Sequence, residues 1–145
     1  DLHWYVVIGP VFRNLAEIAA VVKDFPHVTL HHSPAIKDLI DFCDISISAA
    51  GSTTYELAAC GVPALLIVAA DNQLRLAREA ERQGMAINLG WYHELDVARL
   101  YAALDNLIFN YELRVKMVMN GQELIDGRGA GRVAAILLDE MWKNK

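Results

Sequence analysis

Two short stretches of this sequence carry groups that could hold an anion and a polyol. The first is Gly51-Ser52-Thr53-Thr54-Tyr55-Glu56. A glycine leaves the main chain open to a ligand, and the first N–H groups of a helix starting here lack internal partners and carry the positive end of its dipole. With the hydroxyls of Ser52 and Thr53 added, the turn suits a diphosphate. A purely structural alternative stands beside this reading. Thr53-x-x-Glu56 fits a capping box, in which the threonine caps the helix and the glutamate reaches back to its N–H. The Glu56 carboxylate cannot both close that box and clamp a sugar diol. The second stretch, Asp71-Asn72-Gln73, offers an amide pair able to donate to and accept from sugar hydroxyls, or else a helix cap at Asp71 or Asn72.

Other reactive residue types point to less. His31 and His32 are adjacent in a strand and face opposite ways, which disfavours chelation of one ion. His27 and His93 fall in loops and His3 near the start, so no metal site is expected, although His32 could border a ligand loop. Gly127-Arg128-Gly129-Ala130-Gly131-Arg132 imitates part of a dinucleotide fingerprint but lacks the preceding strand, and reads as a turn opening the last helix. Trp91-Tyr92-His93 could stack on a ring or simply pack. Ser52 lacks the Gly-x-Ser-x-Gly elbow of a nucleophile. Cys43 and Cys60, each among apolar neighbours in an expected helix, read as buried free thiols.

These residues have to be positioned by an alternation of strands and helices. Five short apolar runs, Trp4–Ile8, Val28–His32, Ile45–Ala49, Ala64–Ala69 and Ala86–Leu89, are almost continuously apolar, as in strands covered on both faces. Between them Leu15, Ile18, Ala19 and Val22, and then Ile36, Leu39, Ile40 and Cys43, repeat at helical spacing. Thr53–Cys60 is a helix stopped by Gly61 and Pro63, and Gln73–Gln83 one stopped by Gly84. Beyond residue 90 only helical patterns remain, one marked by Val97 to Ile108, one over Asn110–Met119 and one marked by Val133 to Met141. The expectation is an α/β domain with a Rossmann-like open parallel sheet of five strands in the order 2-1-3-4-5. Helices would cover both faces, with an α/β core over 1–92 and a helical appendage over 93–145. In such sheets ligands sit beyond the carboxyl ends of the strands, where the Gly51 and Asp71 stretches both fall.

Composition narrows the partners. Eighteen acidic residues against 13 basic ones give a formal charge of −5, which argues against a nucleic-acid surface but not against a phosphate held by backbone N–H groups. No apolar run approaches the roughly 18 residues of a membrane span. With no leader or lipidation motif in view, the cytoplasm is the expected compartment. No cofactor is expected.

The run from Ile45 through Gly51-Ser-Thr-Thr-Tyr-Glu56, Gly61-Val-Pro63 and Asp71-Asn-Gln73 resembles the nucleotide-sugar half of two-domain GT-B proteins. It is most similar to the UDP-sugar hydrolases of the pseudaminic-acid pathway and to spore coat polysaccharide proteins, and more distantly to lipid II-forming N-acetylglucosaminyltransferases. The resemblance is dense from Val28 to Leu89 and weaker as far as Gly129. It implies that Gly51, Ser52 and Thr53 hold the diphosphate of UDP, that Glu56 accepts from both ribose hydroxyls, that uracil lies against Ser33, Pro34 and Ile36, and that Asn72 and Gln73 face the sugar.

In relatives, a further βα unit precedes the segment matching residue 1 and the hydrolase's catalytic histidine sits in an N-terminal domain. The chain starts at Asp1-Leu2-His3-Trp4, straight into a strand. The resemblance therefore implies a trimmed UDP-sugar-binding domain over 1–145, with no catalytic residue of its own and an N-terminal domain as its partner, which Arg128 and Arg132 could contact. The parent would be a nucleotide-sugar hydrolase of surface polysaccharide or nonulosonic acid biosynthesis. The alternatives are the donor half of a glycosyltransferase and a non-catalytic interaction domain.

Overall fold

The computed structural model describes residues 2–143. The chain forms two compact units, Asp1–Phe42 and Cys43–Lys145.

In the first unit, strands β1 (Trp4–Ile8) and β2 (Val28–His32) pair in parallel, from Trp4 opposite Val28 to Ile8 opposite His32. Helix α1 (Leu15–Val22) joins them and α2 (Ile36–Ile40) follows. Ile8 and Ile40 are buried here, whereas α1 buries no residue fully. The ladder extends one bond past β2, where the N–H of Ser33 donates to the Ile8 carbonyl at 2.9 Å. Ser33 then turns the chain at a φ of 45°, left-handed for a residue with a side chain.

In the second unit β3 (Ser46–Ala49), β4 (Ala64–Val68) and β5 (Ala86–Trp91) form a parallel sheet with β4 in the middle. Leu65 and Leu66, which point to opposite faces, are both fully buried. That explains why the β4 sequence is apolar without alternation. Leu65 and Leu89 pack with Leu107 of α5 (Val97–Phe109) and Met117 of α6 (Tyr111–Leu124), ringed by Ile45, Ile67, Ile87 and Leu104. Helix α4 (Leu74–Arg82) packs on β4 and β5, burying Ala77 and Ala80. Helix α3 (Thr53–Cys60) packs on β3, β4 and α6.

Helix α6 draws these elements together. Its Gly121 lies so close to Ala58 of α3 that a Cβ there would stand 3.3 Å from the alanine's own. Asn120 donates to the Gly84 carbonyl and Gln122 to that of Ala59, satisfying carbonyls that helix ends leave without partners. Residues 93–145 thus supply part of the core as well as the exposed helix α7 (Gly129–Lys143).

Helices α3 and α4 end alike. Gly61 and Gly84 take φ values of 76° and 67°, and the N–H groups of Val62 and Met85 reach back to Leu57 and Ala80. This is the Schellman closure that glycine permits. The α/β class, the parallel pairing and the expected neighbours 2-1 and 3-4-5 are all present. β1 and β2 pair within the first unit, and β3, β4 and β5 within the second.

Candidate functional site

The loops that leave β3 and β4 emerge side by side, because Ala49 stands opposite Ile67 and the N–H of Ala50 donates to the Ile67 carbonyl. After β3 the chain turns sharply. The Gly51 N–H bonds back to the Ala49 carbonyl at 2.7 Å, a three-residue turn around buried Ala50. Two further bonds start the helix, from the N–H of Thr54 to the carbonyl of Gly51 and from that of Tyr55 to Ser52, each 3.0 Å. The N–H groups of Ser52 and Thr53 have no acceptor among the described residues. They are consecutive, they sit at the positive end of α3, and nothing stands within 4 Å of the open side of Gly51 except the Gln73 amide nitrogen, at 4.0 Å.

This geometry removes the capping-box alternative. Ser52, at the cap position of α3, takes helical angles, φ −59° and ψ −31°. Thr53 therefore lies inside the first turn, where it lacks the extended backbone of a cap. No side chain caps α3. Glu56 is exposed, and its carboxylate is free of hydrogen bonds and ion pairs among the described residues.

The alternative role of Asp71 or Asn72 as a helix cap falls in the same way. Asp71–Gln73 form a single 3-10 turn entered from extended Ala70, with no side-chain cap on it or on α4. Asp71 and Asn72 are exposed. Gln73 is half-buried, and its Oε1 accepts from the N–H of Ala69 at 2.9 Å.

Gly51, Ser52, Thr53, Glu56, Asn72 and Gln73 thus lie on adjoining loops of one unit. Ser33, Pro34 and Ile36 belong to the other unit, just beyond the carboxyl end of β2, with Ser33 exposed and the other two half-buried.

Two features here escape a sequence reading. Thr54 is 2% exposed and its Oγ1 has no hydrogen-bond partner among the described residues, which nothing distinguishes in sequence from its neighbour Thr53. A bulge between Leu66 and Val68 shifts the β5 register so that Trp91 pairs with Val68. Gly90, at φ 85°, lies within it, and its N–H donates to the Asn88 side chain. Trp91 is left half-buried with its ring 5.5 Å from that of His93.

The remaining candidates are placed more simply. His3 bonds Thr29, and His31 lies against the Tyr5 ring. Among the described residues no three metal-ligating side chains gather. Gly127 turns the chain into α7 at φ 71°, and Asp126 pairs with Arg132 at 2.6 Å while accepting from the Arg128 N–H. The thiols are free, but not as expected. Helix α2 stops at Ile40, leaving Cys43 outside any helix and half-buried, with its thiol pushed up by burial and by Asp44. Cys60 is exposed on the last turn of α3.

With this fold and turn in hand, comparison with known families gives a direct result. Residues 5–125 match the glycosyltransferase family 28 C-terminal domain, and the chain belongs to that family. Its α/β architecture is that of the Rossmann-like C-terminal half of GT-B proteins. The chain is 33% identical over 140 residues to the spore coat polysaccharide biosynthesis protein SpsG of Bacillus subtilis (strain 168), covering 96% of this chain and 41% of that protein. It is 35% identical over 97 residues to the UDP-N-acetylglucosamine--N-acetylmuramyl-(pentapeptide) pyrophosphoryl-undecaprenol N-acetylglucosamine transferase of Desulfotalea psychrophila (strain LSv54 / DSM 12343), covering 64% of this chain and 26% of that protein. The chain therefore spans less than half the length of either relative. Among the described residues no helix is long and apolar enough to cross a membrane.

Proposed function

We propose that this chain is the UDP-sugar-binding domain of a nucleotide-sugar enzyme of surface polysaccharide biosynthesis. The observation that carries the proposal is the pair of unengaged N–H groups at Ser52 and Thr53, beside an open glycine. Two adjacent donors at a helix start complement the oxygens of a diphosphate without any cationic side chain. Glu56, one turn on and free of partners among the described residues, is assigned to the ribose diol, because an ionised carboxylate only accepts hydrogen bonds and two neighbouring hydroxyls can both donate to it. Ser33, Pro34 and Ile36 are assigned to the uracil and Asn72 to the sugar. In the reaction, the fixed dipoles of the α3 start would stabilise charge on the phosphate as it is attacked or departs.

We assign no catalytic residue within the chain. The N-terminal domain of the parent is the partner proposed to supply one, and the two free thiols suit a reducing cytoplasm. Hydrolysis, with water attacking the anomeric carbon or phosphorus, is our reading of the parent's reaction. The similarity to an N-acetylglucosamine transferase supports a second, in which the same donor half serves transfer to an acceptor. Release of free sugar by the full-length protein without an acceptor supports hydrolysis. Release or transfer only when an acceptor is supplied supports the second reading.

Binding is tested by calorimetric titration with UDP, UMP, ADP and 2′-deoxy-UDP. The proposal expects UDP to bind best. It also expects Glu56→Ala to weaken UDP while leaving 2′-deoxy-UDP, which has already lost half of the diol, much less affected. Equal indifference to all four nucleotides refutes it.

A further inference from the structure

We propose that the rings of Trp91 and His93 form a stacking subsite for the sugar ring of a bound nucleotide-sugar. The proposal rests on the reading of the Gly51–Thr53 turn as the diphosphate site and adds groups that recognise what the diphosphate carries. Its basis is a run of three rings, at the carboxyl end of β5, that the core does not use. Tyr92 is 62% exposed, His93 is exposed and Trp91 is half-buried, yet the rings are held against one another. Those of Trp91 and His93 lie 5.5 Å apart and tilted by 37°, and the Tyr92 ring meets that of His93 edge-on, 5.1 Å away. Rings grouped in a solvent-facing turn bury little apolar surface within the fold, so core packing does not account for them.

The backbone beneath the rings is fixed at both ends. At the bulge the Gly90 N–H donates to the Asn88 side chain at 3.0 Å, and Arg99 of α5 donates to the Asn88 carbonyl at 2.9 Å. Beyond the 3-10 turn Tyr92–Glu94, Asp96 caps α5 by accepting from the Ala98 N–H. A bulge re-aims the residues around it and is favoured beside binding sites. Here it brings Trp91 level with Val68, the last residue of β4 before the loop that carries Asn72. The strand order β3-β4-β5 then sets the order of groups along the carboxyl edge: the diphosphate turn, the Asn72 loop, the aromatic turn. Adjacent strands are about 4.8 Å apart, so a hexose that leaves the diphosphate over Asn72 runs toward Trp91. One face of a pyranose presents C–H groups, weakly positive, which suit the negative face of an aromatic ring. Its hydroxyls project from the rim, where the Asn72 amide can meet them.

The test is calorimetric titration of the full-length protein with UDP, UDP-glucose, UDP-galactose and UDP-N-acetylglucosamine, before and after Trp91→Leu and Trp91→Phe. The leucine keeps apolar bulk beside the sheet and removes the ring. UDP has no sugar beyond its phosphates and is the internal control. The proposal predicts that Trp91→Leu weakens at least one UDP-sugar by about fivefold, the scale of a ring contact, while UDP stays within about twofold. Trp91→Phe should recover most of the loss. Equal effects on all four ligands, or no recovery with phenylalanine, overturn the proposal and leave the diphosphate reading standing. Failure of the unaltered protein to bind UDP overturns both. Should the leucine variant not fold, His93→Ala carries the test, since that exposed side chain meets only the two rings and Glu94 among the described residues. Selective loss of a UDP-sugar then supports the proposal, and unchanged binding overturns it.

Discussion

Replacing Ser52 by proline separates the helix start as a ligand site from the helix start as a structural element. Proline fixes φ near −65° and removes the N–H; Ser52 already stands at φ −59°, and its N–H has no acceptor among the described residues. Gly51, the residue before it, lacks the Cβ that makes a pre-proline position restrictive. The fold therefore loses no hydrogen bond, and the unfolded chain loses freedom, so stability should be unchanged or rise by about 0.4–1 kcal/mol. Binding should move the other way. A hydrogen bond to a charged group contributes about 1.5–3 kcal/mol, or roughly 10- to 150-fold in UDP affinity. Ser52→Ala, which removes the hydroxyl and keeps the N–H, is the reference. Thermal melts and UDP titrations of both variants read the two quantities independently. If the proline variant binds UDP as tightly as the alanine variant, the Ser52 N–H does not hold phosphate. If it melts well below wild type, that N–H has a partner in the fold and the reasoning fails at its first step.

Other consequences of the structure can be checked directly. Thr54→Val removes a buried hydroxyl that has no partner, so the melting temperature should hold or rise; a loss above about 1 kcal/mol would mean that the hydroxyl is bonded. Leu107→Ala should cost about 2–5 kcal/mol in denaturant unfolding, because the side chain is fully buried where α5 and α6 meet the sheet, and a cost below 1 would contradict that packing. Gly121→Val should destabilise by about 1–3 kcal/mol by forcing α6 away from Ala58, and an unchanged melt would refute the close approach. Glu79 is held down to about 2, from an ordinary 4.5, by hydrogen bonds from Arg82 and then Gln83. A carboxylate lowered in the fold favours folding above its unfolded pKa. This support is complete above about pH 4.5 and fades as pH falls toward 2; an NMR titration of Glu79 with a midpoint near 4.5 would remove it.

Much of the scaffold is legible in the sequence because its signals are local. Trp4–Ile8, Val28–His32 and Thr53–Cys60 have the bounds that their apolar runs and the Gly61-Val-Pro63 stop dictate. The errors fall where the outcome depends on contacts between distant residues. Whether Ser52 or Thr53 stands at the cap of α3 depends on the tight turn at Ala50, and Thr53 with Glu56 fits a box by spacing alone. The C-terminal helices read as an appendage because no pattern announces that Leu107 and Met117 meet Leu65. At the candidate site, residue types were readable but their wiring was not: the approach of Gln73 to Gly51 joins positions 22 apart.

The central claim, that the start of α3 holds a nucleoside diphosphate through its backbone, is tested most directly by following amide resonances during parallel titrations with UDP and uridine. The account predicts that the Ser52 and Thr53 amide protons move strongly downfield with UDP, as they gain charged acceptors, and stay in place with uridine. Unmoved Ser52 and Thr53 resonances at a UDP concentration that saturates binding would contradict it.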